Sequence, residues 1–540
     1  MSGVAPSPSP RQWWGVIAVS LGVALIVVDF TIVNVILAPV VEDLAIGSAG
    51  AQWFQESYAI AFAALLLLAG RLSDLHGARR VFLIGLAVFG ATSLLAAAAP
   101  DGGLLIAARF LQGVGGAMVL PTSLALVNAA FTGTARARAF AVWGSTIGAA
   151  AAAGPLLSGW LADFSWRWAF GVNIPLVALI MAGTLLHLPT SPRTRGRVDV
   201  RGALLSAAGL GLLAVALIEG RTYGWLFTTE PLTVGGLSWS GGPSPVLVAF
   251  AVAASALFAF WRRQAALGRA GEEPLMDVRL FAIPSFRNGN IVTVVVGLGE
   301  FGIIAVLPLW LQFALGYSAF QAGLALAAVA VGSFFASGVS FSMAASVPAA
   351  VQVRIGLLVE AAGLAALGLI AATDSSWWLI AVALFGYGVG VGFATAHVTS
   401  IVLADVPARS AGQGSGIQSA ARELGSALGI ALLTTLFFST LTSGVRDRLA
   451  DAGLPAAEAG RLGQVVTESA GSVIPALAAD PRTATAADAA REAMAAGVAL
   501  AGYVCAGLLV LALVATWCVP SGTETAAPER EPARREPGPP

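Results

Sequence analysis

Among the charged side chains that interrupt the apolar runs of this chain, Asp29, Glu56, Arg109 and Glu300 are the candidates for chemistry. A carboxyl deprived of water is stable as the neutral acid and gives up its proton when a cation or an arginine approaches. Such groups can bind and release protons. A buried arginine costs roughly 2.5–3.5 kcal/mol to insert and faces a partner or a wet cavity. Arg109, Gln112, Gly113 and Gly116 recur at i, i+3, i+4 and i+7, one face of a helix. Asp29 and Glu56, in adjacent apolar runs, form the leading pair for proton and cation handling. Glu300 reads either as a substrate-cavity acid, with Trp310, Gln312 and Phe313 as further lining, or as a protonated packing residue. Glu423 reads at least as readily as a structural partner of Arg422. Glu360 is given no role.

These groups lie in a chain of 540 residues that is 57% hydrophobic and 11% charged, with mean hydropathy +0.83. Soluble chains carry about 25% charged residues, so the bilayer is the solvent for most of this one. All 29 basic residues are arginine. Without lysine there is no G-x-x-x-x-G-K-[ST] phosphate loop and no Schiff base. Any energised process therefore draws on an ion gradient or a partner; no cofactor is expected. Zero net charge shows no nucleic-acid footprint, and His76, His187 and His397 form no metal spacing. Cys505 and Cys518 lie about 20 Å apart along one helix, too far for a disulfide. The arginine-only, alanine- and glycine-rich composition points to a high-GC bacterial genome.

Apolar runs able to cross a ~30 Å hydrocarbon core fall near 13–36, 53–70, 81–100, 103–127, 139–161, 168–187, 203–219, 245–261, 289–313, 320–343, 353–372, 377–401, 415–440 and 496–518. That predicts fourteen transmembrane helices. With the N-terminus cytoplasmic, twenty arginines fall inside and seven outside, as the positive-inside rule requires; both termini are then cytoplasmic. The first run contains Asp29, lacks a small-x-small cleavage site and reads as an uncleaved helix. The Pro-, Glu- and Arg-rich stretch 521–540 reads as disordered, and 442–492 as an alanine-rich outer loop.

Between the second and third runs stands Gly70-Arg71-Leu72-Ser73-Asp74-Leu75-His76-Gly77-Ala78-Arg79-Arg80. Its glycines allow a tight turn, Asp74 can cap a neighbouring helix, and the arginines meet an anionic leaflet. In the fifth run Gly148, Ala152, Pro155 and Gly159 make a small-residue stripe, and Pro155 permits a bend. Gly297, Gly299 and Gly302 spell G-x-G-x-x-G inside an apolar helix without a preceding strand, so the dinucleotide reading fails. Gly386, Gly388, Gly390 and Gly392 read as a close-packing surface or a bending point.

The Gly70–Arg80 loop resembles the signature loop of the major facilitator superfamily, G-x-L-x-D-r-x-G-r-r. Arg109 to Gly113 is similar to the family's R-x-x-q-G motif, associated with proton transfer. Gly148, Gly154, Pro155 and Gly159 resemble the antiporter motif of exporters, with Ala150 and Ser158 replacing two of its glycines. Asp29-Phe30-Thr31-Ile32-Val33-Asn34-Val35 with Pro39 resembles a stretch of the fourteen-helix drug–proton antiporters, with one residue inserted before the proline. Trp166-Arg167-Trp168, Asn173, Pro175 and the segment 274–286 also look like that family. The resemblance covers essentially the whole chain.

It implies an all-α polytopic membrane protein of the major facilitator fold. An N-terminal six-helix bundle would span 1–190, two inserted transmembrane helices with cytoplasmic linkers 191–286, and a C-terminal bundle 287–520, before the tail 521–540. It further implies proton-coupled efflux of a lipophilic drug or antibiotic by alternating access, conferring resistance, by a monomer in the bacterial plasma membrane. Proton coupling falls to Asp29, Glu56 and Arg109, and the conformational gate to Gly70, Asp74, Gly77, Arg79 and Arg80. A proton-coupled importer is the main rival, disfavoured by the fifth-helix motif. A membrane enzyme or sensor finds no nucleophile–base pair, metal spacing or soluble output domain. Near 343–354 only Arg354 and Gly356 match the signature loop's second copy, so an asymmetric gate is expected.

Overall fold

In hydrocarbon every backbone amide must be satisfied within the chain, and helices do this locally. The computed structural model describes residues 9–518 apart from 47, 163, 192, 195, 235, 236, 344 and 345; the expected tail 521–540 lies outside the described residues. These form fourteen long helices: α1 (Pro10–Asp43), α2 (Ser48–His76), α3 (Ala78–Ala97), α4 (Gly102–Ala130), α5 (Gly133–Ala162), α6 (Asn173–His187), α7 (Val200–Tyr223), α8 (Pro245–Ala270), α9 (Pro284–Leu309), α10 (Ala319–Met343), α11 (Ala349–Ile370), α12 (Trp377–Ala404), α13 (Ala411–Asp451) and α14 (Ala484–Ala515). Among the described residues thirteen helices are long and apolar enough to cross a membrane. The remaining long helix, α5, carries the fifth apolar run. Leu204, Phe258, Phe334 and Leu369 are each more than 60% exposed in the isolated chain, an apolar girdle suited to lipid.

Helices α1–α6 pack among themselves, α1 against α5 and α6, α4 against α2 and α3. The pattern repeats in α9–α14, with α9 against α13 and α14, and α12 against α10 and α11. The two bundles meet along two matching seams, α2 on α13 and α5 on α10, the relation of a pseudo-two-fold axis. Helices α7 and α8 pair with each other, and α7 leans on α2 and α13 beside the first seam. A short hairpin, β1 (Leu232–Val234) with β2 (Leu237–Trp239), joins them.

Small residues set the helix spacing. Gly388 and Gly392 of α12 abut α10 at Val329 and Ser333, while Gly390 abuts α11 at Glu360. Gly297 and Gly302 of α9 abut α13 at Arg422 and Gly429, and Gly299 meets Leu509 of α14. Both glycine rows pack closely, except at Gly386, where an added Cβ would meet nothing within 4 Å among the described residues.

Two helices outrun their apolar segments: α13 continues to Asp451 and α14 starts at Ala484. Val445, Leu449, Ala486 and Ala490 are buried there, so the helices continue as long as a neighbour offers burial. Helices Ala456–Glu468 and Ile474–Ala479 fill the segment between and pack on α13 and α14. After Pro308, α9 passes into a π-helical turn, Trp310–Ala314.

Candidate proton-coupling and gating sites

Asp29 of α1 is fully buried. Its Oδ2 accepts from Arg109 Nη1 at 2.5 Å, and its Oδ1 from Gln112 Nε2 at 2.9 Å and Asn173 Nδ2 at 2.8 Å. Gln112 Oε1 accepts a second bond from Arg109 Nη1 at 2.7 Å. Ser93 Oγ accepts from both amides, at 2.8 and 3.2 Å. Helices α1, α3, α4 and α6 thus each place one or two polar groups in a dry core. The Arg109 guanidinium lies 4.5 Å from the Tyr58 ring centroid, with Phe54 and Phe170 at 5.9 and 5.8 Å, a desolvated cation–π arrangement. One carboxylate and one guanidinium balance here, and the other partners are neutral. A proton on Asp29 removes the charge that Arg109 answers.

Glu56 is not among these partners. It is half-buried on α2 and within electrostatic range of Tyr223 at the end of α7. Two residues turn a helix by about 200°; with Tyr58 on Arg109, Glu56 is aimed the other way. The described hydrogen-bond partners of Asp29 are Arg109, Gln112 and Asn173.

The Gly70–Arg80 segment works at one end of the first seam. Asp74 Oδ1 accepts the Gly412 amide at 2.6 Å and Oδ2 the Gln413 amide at 2.9 Å. These are the second and third residues of α13, whose first-turn donors have no intrahelical partner. A carboxylate from the other bundle satisfies them and answers the helix dipole. A Cβ on Gly70 would lie 2.5 Å from the Gly412 carbonyl oxygen and 3.0 Å from Gly416 Cα, so only glycine fits. Gly77 makes the α2–α3 turn with φ +88°, in the region that favours glycine.

The arginines divide their work. The Arg79 amide donates to Ser191 Oγ at 3.1 Å and its Nη2 to the Leu185 carbonyl at 2.7 Å, both in or beside its own bundle. Arg80 is exposed. Arg71 reaches Glu273, beyond α8, at 2.6 Å. The Asp74 carbonyl accepts from the Thr194 amide at 2.9 Å and hydroxyl at 3.1 Å, and Gln413 Oε1 accepts the Asp277 amide at 2.8 Å. The linkers flanking α7 and α8 therefore brace the Asp74 end of the α2–α13 seam. Between α5 and the end of α12, Arg136 Nη1 meets the Ala404 carbonyl at 3.5 Å, a longer bond to a neutral acceptor.

Residues 19–430 match the family model of the Major Facilitator Superfamily. The chain belongs to this superfamily. It is 35% identical over 449 residues to a puromycin resistance protein of Streptomyces alboniger, covering 81% of this chain and 84% of the relative. It is 32% identical over 489 residues to a probable actinorhodin transporter of Streptomyces coelicolor, covering 85% and 80%. A human organic anion transporter shares the fold, with a TM-score of 0.59 at 14% identity over 94% of this chain and all of the other. The major facilitator family and fold are those of membrane transporters, which are not enzymes. This is a multi-pass membrane protein whose bacterial relatives are resistance and export proteins.

Within this major facilitator fold, Glu300 is a buried acid of α9, the first helix of the second bundle as α1 is of the first. Its Oε1 accepts from Thr395 Oγ1 at 2.5 Å and its Oε2 from Arg422 Nη2 at 3.2 Å. The Tyr387 hydroxyl donates to its carbonyl at 2.9 Å. Arg422 thus pairs with Glu300 and also lies within electrostatic range of its neighbour Glu423. Glu423 lies seven residues from Gly416, on the α2-facing side of α13.

The expected lining residues spread outward. Ten residues, about 15 Å of helix, separate Glu300 from the fully buried Trp310. Gln312 is half-buried, and Phe313 approaches Gly471 of the segment between α13 and α14. Of the fifth-helix motif, Gly154 is buried in α5. Gly148, Pro155 and Gly159 belong to α5, but their surroundings lie outside the described residues. Ser93 and Tyr58, which sequence reasoning missed, are single uncharged groups in apolar runs; Asn173 was visible only through the resemblance. The one internal signal was the shared face of Arg109 and Gln112.

Proposed function

We propose that this chain exports a lipophilic antibiotic-like molecule across the bacterial cell membrane in exchange for protons. It works as a single chain whose two bundles rock about a midplane site. The buried Asp29–Arg109–Gln112–Asn173 network carries this reading: it is a neutral pair that one proton unbalances. The resistance and export roles of the relatives support the direction.

The arginine bias supports a cytoplasmic Asp74 face, with both termini inside. The Asp74–Gly412 contact is then the closed inner gate, and protons approach Asp29 from outside. A proton arriving at Oδ2 converts the carboxylate to the neutral acid. Arg109, still stacked on Tyr58, loses its counter-charge and keeps its bond to Gln112. The charge-assisted tie between α1 and α4 is lost, the N-terminal bundle reorients, and Asp74 leaves the α13 terminus. Substrate then enters from the cytoplasm or inner leaflet, and the proton leaves Asp29 to the inside as the pair re-forms. Each charge moving through 100 mV supplies about 2.3 kcal/mol, a factor of roughly 50 in concentration.

Inverted membrane vesicles test this, with puromycin and ethidium as probes. Either should discharge a preformed pH gradient in the wild type, and neither in Asp29→Asn. Failure of both probes in active wild-type vesicles overturns the reading.

A further inference from the structure

The C-terminal bundle holds a second acid that the exchange described above does not use. Glu360 of α11 is fully buried, and neither of its carboxyl oxygens has a hydrogen-bond partner among the described residues. Gly390 of α12 lies directly on the Glu360 backbone, so position 390 offers no side chain. Helices α12 and α14, packed against α11, bring Tyr387 and Cys505 to its surroundings. The Tyr387 hydroxyl is already committed to the Glu300 carbonyl. The charged groups within range are Glu300 from α9 and Arg422 from α13; Glu423, within range of the same Arg422, lies on the α2-facing side of α13.

The arrangement has one cation, Arg422, and two carboxyls, Glu300 and Glu360. With both ionised it would carry a net negative charge out of water, which is expensive. One proton makes it neutral. Both Glu300 oxygens accept from donors, which suits a carboxylate, an acceptor only. Both Glu360 oxygens accept none, and an unpaired buried carboxylate is the costlier species.

We propose that Glu360 is a second, exchangeable proton-binding site, neutralising a buried Glu300–Arg422–Glu360 triad in the C-terminal bundle. The proton binds the Glu360 carboxylate when the bundle is closed and dry. It passes to water when reorientation of α9 and α13 wets the site, leaving the carboxylate beside Arg422. This extends the antiport reading, since the second bundle then carries its own proton in each cycle.

The test uses the full chain in lipid nanodiscs, followed by infrared difference spectroscopy across a pH titration. The wild type should show a carbonyl band at the high-frequency end of the carboxylic-acid region, the mark of an acid without a hydrogen bond. The band should bleach reversibly at alkaline pH and be absent from Glu360→Gln. A spectrum that Glu360→Gln leaves unchanged overturns the proposal, as does a band that does not respond to pH. If Glu360→Gln fails to fold, Arg422→Gln decides: with the cation gone, the pair should take up a second proton and gain a second acid band. No gain overturns it. In proteoliposomes with puromycin as probe, the proton-to-puromycin ratio should fall from two to one in Glu360→Gln, whereas Asp29→Asn abolishes exchange. If the wild type moves no protons with puromycin yet its band titrates, the site stands and the antiport reading falls.

Discussion

Asp74 caps a helix of the opposite bundle: its carboxylate takes the Gly412 amide at 2.6 Å. A helix cap normally comes from the residue just before the helix, and here it comes from 338 residues away. The bond therefore measures whether the bundles are joined. Removing such a cap costs about 1 kcal/mol. Asp74→Ala should speed hydrogen exchange at Gly412 and Gln413 by about fivefold, read by mass spectrometry on the purified chain. Unchanged protection at both amides would show that α13 is capped by something else.

Asp29→Asn keeps the shape of the side chain and removes its charge. Breaking a buried ion pair from one side costs about 3–5 kcal/mol, so the melting temperature in detergent should fall and proton exchange should stop. Adding Arg109→Gln should restore stability without restoring exchange. If the double variant melts no higher than Asp29→Asn, the charge balance drawn for this core is wrong.

Gly70→Leu places a side chain where a Cβ already stands 2.5 Å from the Gly412 carbonyl oxygen. The seam should be forced apart on the Asp74 face. Spin labels at His76 and Arg409, both exposed, should report a longer mean distance than in the wild type. An unaltered distance distribution would mean that the seam yields locally rather than opening.

Asp199 stands just before the first residue of α7, where Arg263 Nη2 meets it at 2.7 Å and Gln264 Nε2 at 3.0 Å. Burial pushes its carboxyl up, but Arg263, the Gly202 amide and Gln264 outweigh burial and hold it below the usual 3.8. A carboxyl lowered by folding stabilises above its unfolded value, and that contribution is lost as pH falls through its folded value. The penalty of Asp199→Asn should thus be constant from about pH 5 to 8 and shrink below about pH 4. With Arg263 partly exposed it should amount to about 1 kcal/mol or less, seen as a small drop in melting temperature. A penalty that changes near neutrality would point to another titrating group.

Depth in the membrane was legible from single residues, but direction around a helix was not. The fourteen runs follow from apolar length alone, and Arg109 with Gln112 from a three-residue spacing. Glu56 looked like the partner of Asp29 because the two sit in adjacent helices. Its neighbour Tyr58 takes the face that meets Arg109, and no pattern in an all-round apolar helix reveals which face that is. Glu360 and Glu300 show the same limit: both are acids in apolar runs, and only the packing of α9, α11 and α13 brings them to one arginine. The trans cap at Asp74 was legible as a capping group, and its target was not, because α13 follows more than 330 residues later.

Thr194, Glu273 and Asp277 brace the Asp74 end of the α2–α13 seam from stretches of chain that exist only because α7 and α8 do. Excising that pair to leave twelve helices would remove the donors on the Asp74 carbonyl, the counter-charge of Arg71 and the amide that occupies Gln413. Shortening and unlocking are one event in this molecule. A lineage could shed the pair only by building a different lock.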